Sequence, residues 1–366
     1  MRTSRIAVFH GAGRPLTLES VTVPALREGE ILVRNEYATL CRSDLNTYSG
    51  KRTEKTPTIL GHETVGIIEE LGPGAPATDA RGLGLRPGDR VTWAVFAANP
   101  DSELARAGIP QKGPDLFKYG HEALTPDSTL HGGLADYCVL RRYTPVLRLV
   151  APIPLPLLAL INCAVATVAG SLRLAGPLHS RNVLIAGAGM LGLLACSMCR
   201  GSRARRIIAL DVEPRRLVLA REFGADFALA MPSEGGSLRS EVTALLGAEP
   251  VTVALDYSGA PAAMETLLES LGTGGTAVFI GATFPQRPIQ ISAEQVIRKV
   301  QTIKGLHNYN EADLVAAASF MEEHGGEFPF ARLVHDQFDL AAVNEAFEYG
   351  LESGAHRVGI RISGGS

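Results

Sequence analysis

The chain reads as a two-domain α/β protein, with a β-rich domain followed by a doubly wound parallel-sheet domain. Three observations carry this. Its 366 residues exceed what one compact core ordinarily holds and suit two. Residues 1–158 are a series of short β-branched runs, RIAVFH, LESVTV, EILVRNEYATL, ETVGIIEELG, DRVTWAVF and ADYCVL, separated by Gly, Pro and charged turns. Residues 159–304 change rhythm: near-continuous Val/Ile/Leu strands alternate with helical segments, as in a parallel sheet covered on both faces.

In that second region RNVLIAGAG is a strand and MLGLLACSMCRGS a helix. ARRIIALDV and PRRLVLAREFGA repeat the pair, and VTVALDYSG and TAVFIGA continue the sheet. Residues 305–366 hold two helices, EADLVAAASFMEEHG and AAVNEAFEYGLESG, and a last strand, RVGIRI. They have no evident core of their own, so they are expected to return to the first domain. Residues 97–130 form a long polar excursion, read as a lobe rather than a linker.

Composition narrows the partners. With 46% hydrophobic residues, 39 Gly and 22 Pro, the chain is globular rather than disordered or fibrous. A net charge of −3 gives no reason to expect nucleic acid or an anionic membrane. The most apolar stretch, LRLVAPIPLPLLALINCAVATVAG, carries three prolines and is broken by Asn162, and reads as interdomain core rather than a membrane span. MRTSRIAVFHGAG reads as a first strand, not a leader. Five cysteines without a spaced framework fit a reducing cytoplasm.

Gly187, Gly189 and Gly192 form G-x-G-x-x-G between the strand RNVLIA and an apolar helix, with Met190 and Leu191 at the helix head. The first glycine permits a tight turn, the second lets backbone approach a diphosphate, and the third lets helix and strand pack closely. Such a motif alone is weak. Here the next strand ends in Asp211, where a carboxylate accepts hydrogen bonds from adenosine ribose hydroxyls and repels a 2′-phosphate. NAD is therefore expected over NADP, although Arg215 and Arg216 follow closely.

Cys41 in TLCRSDL, His62 in GHETVG and Cys163 in INCAVAT fit a three-ligand zinc site with one coordination position open. Taken singly, each reads more readily as core or as a hydrogen-bonded structural residue than as a ligand. Their neighbours change the balance. Asp44 can hold the histidine by its second ring nitrogen, Glu63 places another carboxylate near the metal, and Ser43 offers a hydroxyl.

On GHETVGIIEELG, RPGDRV, CRSDL, INCAVATV, GAGMLG and HRVGI, the chain resembles the zinc-dependent medium-chain dehydrogenases/reductases, which include alcohol, sorbitol and threonine dehydrogenases. The resemblance covers nearly its whole length. It implies a GroES-like domain plus a Rossmann domain, and one catalytic zinc on Cys41, His62 and Cys163. Asp44 would lie behind the histidine, with Glu63 an occasional or indirect ligand. Ser43 would start a proton relay, Arg42 and Arg357 would approach the cofactor diphosphate, and Thr167 would lie beside the nicotinamide. Asp211 and Arg216 would flank the adenosine ribose. The implied reaction is reversible oxidation of a small-molecule alcohol to a carbonyl, in a homodimer or homotetramer. The segments TAVFIGA and RPIQIS offer a pairing edge.

The sequence departs from this pattern twice. Many relatives hold a second, structural zinc on C-x2-C-x2-C-x7-C; here those positions are Asn99, Ser102, Ala105 and Gly113, so no structural zinc is expected. The relay histidine of liver-type enzymes is replaced by Asn46, an amide that cannot pass a proton, leaving water, ribose or Tyr48. Cys196 and Cys199 read as a buried helix pair, and His121 and His307 read equally as pocket or solvated residues. GIPQKGPDLFKYGHEA resembles a branch associated with phosphonate metabolism, and Lys51, Arg52, Lys112, Lys118 and His121 could then hold an anionic hydroxyphosphonate. A polyol or amino-alcohol substrate stays open within the class. A zinc-free reductase of activated C=C bonds and a non-catalytic nucleotide-binding protein stay open outside it.

Overall fold

The computed structural model describes residues 1–232 and 238–362. The chain divides into two compact units. One comprises Met1–Cys163, Asn310–Glu322 and Phe330–Ser366; the other comprises Ala164–Tyr309 and Glu323–Pro329. These breaks differ from the sequence boundaries near 158 and 304 because composition changes before packing does: Leu155–Ala175 is one helical stretch across the first boundary. That stretch is long and apolar enough to cross a membrane by length and composition, yet 72% of its most apolar window is buried inside the protein. Glu323–Pro329, read as part of the returning tail, belongs to the second unit, where Phe328 sits against Gly224.

In the first unit a mixed sheet runs in the order Val146–Arg148, Arg90–Trp93, Glu63–Leu71, Ile31–Leu40, Arg357–Arg361, Val334–Asp339, with Tyr137–Leu140 also paired to Ile31–Leu40. Ile31–Leu40 is buried on both faces, which its sequence ILVRNEYATL allows because the polar Asn35 bonds the Ala135 carbonyl at 2.8 Å. Two residues of register matter for the site. Thr39 pairs with Glu63, and Leu40 pairs antiparallel with Val358 of the last strand. The core beneath this sheet includes Ile6, Val8, Leu40, Leu45, Phe347 and Val358.

The second unit holds six strands in the order Phe227–Ala230, Arg206–Asp211, Asn182–Ala186, Val251–Asp256, Leu271–Phe279, Thr302–Gly305, all parallel. This order, with the first strand central and the direction of winding reversing beside it, is that of a doubly wound nucleotide-binding sheet. Val183, Leu184, Ile207, Ile208, Val253 and Leu255 are fully buried, so these strands are apolar without alternation. The expected pairing edge is corrected here. TAVFIG lies on an interior strand, because Ala277 and Val278 are buried with a neighbour on each side, and RPIQIS forms no strand. The edge is Thr302–Gly305, exposed along its length.

Candidate metal centre and nucleotide turn

The strand Ile31–Leu40 delivers Cys41 at its end, and the register just described brings it beside Glu63 and Arg357. His62 immediately precedes the strand Glu63–Leu71. Cys163 arrives from far along the chain on a π-helical turn, Ile161–Val165, a widened backbone that often marks functional sites. The ligating atoms of Cys41, His62, Glu63 and Cys163 all lie within 4.8 Å of one another. Among the described residues this is the one such convergence of metal-binding side chains.

Buried groups around the cluster hold it in place. Asp44, in the helix Arg42–Tyr48, accepts hydrogen bonds from the backbone N–H of Cys41 at 2.9 Å and of Gly61 at 3.3 Å. Its Oδ1 also lies 3.4 Å from His62 Nδ1, an ion-pair distance rather than a tight hydrogen bond, and leaves the other ring nitrogen to the cluster. Gly61 takes φ +89°, and a Cβ there would press on Leu134 and Gly133, so only glycine lets the chain turn into His62. Asn162 donates to the carbonyls of His62 and Trp93, both at 2.9 Å. It ties the cysteine turn to the histidine strand.

Glu63 is fully buried and held by Arg357 in a two-pronged ion pair of 2.6 and 2.7 Å, with the Thr39 hydroxyl donating at 2.6 Å. The Arg357 guanidinium also reaches Cys41 Sγ at 3.4 Å. The resemblance put Arg357 on a cofactor diphosphate; the structure places it 5% exposed on this carboxylate and thiolate. The hydrogen bond from Cys163, and the charge of Arg357, hold the Cys41 thiol well below its usual pKa despite burial. The same bond, with burial, pushes Cys163 well above its own. Burial alone would lower His62, but Asp44 and Cys41 together outweigh it and the imidazole is raised. Burial raises the Glu63 carboxyl against the pull of Arg357.

The donor set fits zinc: a favoured thiolate, a second thiol able to lose its proton to a cation, and an imidazole whose far nitrogen faces a carboxylate. With both Glu63 oxygens on Arg357, the two sulfurs and one nitrogen are the donors best placed for a cation, a set that would leave one position open on zinc.

Ser43 is half-buried on the same short helix, Arg42 is exposed, and Tyr48 stacks on Phe347 at 4.7 Å. Tyr48 is half-buried and its ring packs against the core. At the lobe positions Asn99 and Ser102, side chains make local hydrogen bonds. Asn99 accepts from the Asp101 N–H at 3.0 Å, and Ser102 caps the helix Glu103–Arg106 by accepting from Ala105 N–H at 3.2 Å. Gly113 approaches Ser102.

His121 stacks on His62, ring centroids 5.1 Å apart and 34° tilted. Its Nδ1 lies 3.0 Å from Glu54 Oε1, and Arg52 pairs with the same carboxylate at 2.6 Å. Burial, then the charges of His62 and Arg52, hold this imidazole below its usual pKa despite Glu54. Burial, Lys112 and Arg52 similarly depress the Lys118 ammonium. Lys51 and His307 are exposed. Sequence reasoning missed Asn162, Thr39 and Glu54 as site residues. Only Asn162 left a signal, as an amide inside an apolar run next to Cys163.

In the second unit the strand Asn182–Ala186 runs into Gly187, which takes φ +90° and packs on the Ser258 backbone. A Cβ at Gly192 would overlap the Gly187 carbonyl, whereas one at Gly189 would meet nothing within 4 Å, leaving its backbone approachable. Met190 opens the helix Met190–Gly201, with Leu191 behind it half-buried. Asp211 accepts from the N–H of Ala188 at 2.7 Å and of Glu213 at 2.9 Å, and Arg216 lies 3.7 Å away. Thr167 is half-buried on the helix Ala166–Ala175. Cys196 and Cys199 are fully buried, and burial pushes the Cys196 thiol up to about 12.

Two family models match: an alcohol dehydrogenase GroES-like domain over residues 27–151 and a zinc-binding dehydrogenase over residues 191–323. The chain belongs to the zinc-type medium-chain dehydrogenase/reductase family. It is thus an oxidoreductase of alcohol dehydrogenase type, a GroES-like domain joined to a Rossmann sheet. It is 29% identical to the L-threonine 3-dehydrogenase of Edwardsiella ictaluri, covering 79% of this chain and 80% of that protein. It is 26% identical to the NDMA-dependent alcohol dehydrogenase of Amycolatopsis methanolica, covering 94% and 95%. Rattus norvegicus sorbitol dehydrogenase is also 26% identical, with 93% and 91% covered. The crystal structure of an alcohol dehydrogenase from Thermotoga maritima superposes with a TM-score of 0.90 at 25% identity, covering 99% of this chain and 100% of that one.

Proposed function

We propose that this dehydrogenase is zinc-dependent and NAD-linked, and interconverts a small polar alcohol with its carbonyl. The convergence of Cys41, His62 and Cys163, with Glu63 held off by Arg357, carries the reading. When bound, zinc would polarise the substrate oxygen and NAD would take the hydride. Cys41, His62 and Cys163 would hold the ion, with Asp44 fixing the histidine. Gly187, Gly189 and Gly192 would cradle the diphosphate. Asp211 favours NAD, since its carboxylate would repel a 2′-phosphate, although Arg216 offsets part of that charge. Ser43 would take the substrate proton, and Asn46 cannot carry it further.

For the substrate, Lys118, whose ammonium is depressed by burial and then by the charges of Lys112 and Arg52, supports an anionic alcohol such as a hydroxyphosphonate. The sorbitol dehydrogenases among the relatives support a polyol as the second reading. We also propose a homodimer formed through the exposed edge strand Thr302–Gly305, where Ile297, Val300 and Ile303 are exposed. Metal analysis, coupled to NADH absorbance over a panel of hydroxyphosphonates and polyols, tests the reading. About one zinc per chain and alcohol-dependent NADH formation are expected. Chelator-insensitive reduction of activated C=C bonds by zinc-free protein would overturn it.

A further inference from the structure

We propose that Tyr257, through its hydrogen bond to Ser171, is a positioning residue for the nicotinamide half of the dinucleotide. The inference rests on the NAD-linked reading above and adds a residue to it. The order of strands says which half lies where. A dinucleotide crosses the C-terminal ends of the strands at the point where the winding reverses. That point falls between Asn182–Ala186 and Val251–Asp256. Asp211, the adenosine-ribose candidate, ends the strand on the other side of Asn182–Ala186. The nicotinamide half therefore extends over the end of Val251–Asp256, where Tyr257 is the next residue.

The backbone at Tyr257 is tied to the glycine turn. Its N–H donates to the Ala186 carbonyl at 2.8 Å, and Gly187 packs on the Ser258 backbone. Asp256, fully buried, accepts from the Ser258 hydroxyl at 2.6 Å and from the Gly259 N–H at 3.1 Å. The side chain of Tyr257 reaches a different element. Its hydroxyl lies 2.5 Å from Ser171 Oγ on the helix Ala166–Ala175, and Ser171 Oγ lies 2.7 Å from the Val168 carbonyl. A carbonyl only accepts, so the one serine hydrogen goes there and the phenol donates to the serine. Ser171 is fully buried, and among the described residues Tyr257 is its side chain's sole donor. Thr167 stands one turn earlier on the same face of that helix. One hydrogen bond thus joins the strand end beneath the nicotinamide half to the helix face that carries Thr167. It touches neither Asp211 nor the diphosphate turn.

The test compares the binding of NADH and of ADP-ribose, which lacks the nicotinamide, to the full-length protein by isothermal titration. Tyr257→Phe keeps the ring and deletes the donor. It is expected to weaken NADH about fivefold while ADP-ribose stays within about twofold. Ser171→Ala breaks the same bond from the other side and is expected to do likewise, which keeps the test readable if Tyr257→Phe does not fold. The double variant is expected to lose no more than either single one, because both remove one interaction.

A purely structural role would weaken both probes together, so an equal loss of NADH and ADP-ribose overturns the inference. Unchanged NADH binding in both single variants, or losses that add in the double variant, would also overturn it. Wild type that fails to bind NADH sinks the NAD-linked reading and this inference with it. Wild type that binds both probes, with variants that leave their ratio unchanged, sinks only the role of Tyr257.

Discussion

The metal cluster and the glycine turn solve different problems with different reach along the chain. Gly187 to Gly192 is one continuous turn whose conformation follows from three missing side chains and a strand on one side. The cluster draws Cys41, His62, Cys163 and Arg357 from four separated segments, fixed by strand register and by Asp44, Asn162 and Glu63. A local site tolerates changes elsewhere; a site built by register does not. The turn presents open backbone, whereas the cluster buries charge and must pair it.

The sharpest way to break this contrast is Cys163→Ala. We expect zinc to fall from about one per chain to below about a tenth, with turnover lost by roughly a thousandfold or more, while NADH binding persists. Full zinc and full activity in that variant would end the metal assignment. Next in size is Arg357→Met, which leaves the Glu63 carboxylate buried and unpaired; thermal denaturation should show about 3–5 kcal/mol of lost stability. Adding Glu63→Gln should return part of it. If the single variant is neutral, the ion pair is not what holds the cluster.

Asp211→Asn tests the other region. Isothermal titration should show NAD binding weakened about tenfold, with less preference over NADP and zinc content unchanged. A simultaneous loss of zinc would show that the two regions are not independent. The smallest effect belongs to the lobe. Ser102→Ala removes a helix cap and should cost about 1 kcal/mol in chemical denaturation, with the same zinc content. A fall in zinc would mean that the lobe holds metal after all.

The two-region organisation was legible because strand rhythm and helix periodicity are local properties of the chain. So was the glycine turn, and so were the three zinc candidates, each flagged by its immediate neighbours. Other features were not. The sheet edge is one, because an apolar run such as TAVFIG shows that a strand is buried but not how many neighbours it has. The ring of Tyr48 lies on Phe347, 299 positions later in the chain, and no local signal announces that contact. Arg357 and Glu63 are 294 residues apart, and nothing local marks them as partners.

By itself the amino-acid order determined what each stretch could become: β-rich segments, a doubly wound sheet, a glycine-rich turn and a thiol–imidazole donor set. These follow from periodicity and side-chain chemistry, which act over a few residues. Tertiary structure alone decided which groups meet. Pairing Leu40 with Val358 and Thr39 with Glu63 puts a guanidinium on a buried carboxylate, and the lobe lays His121 against His62. Such encounters depend on the register of strands remote in sequence, where a slip of one residue would turn each side chain to the opposite face.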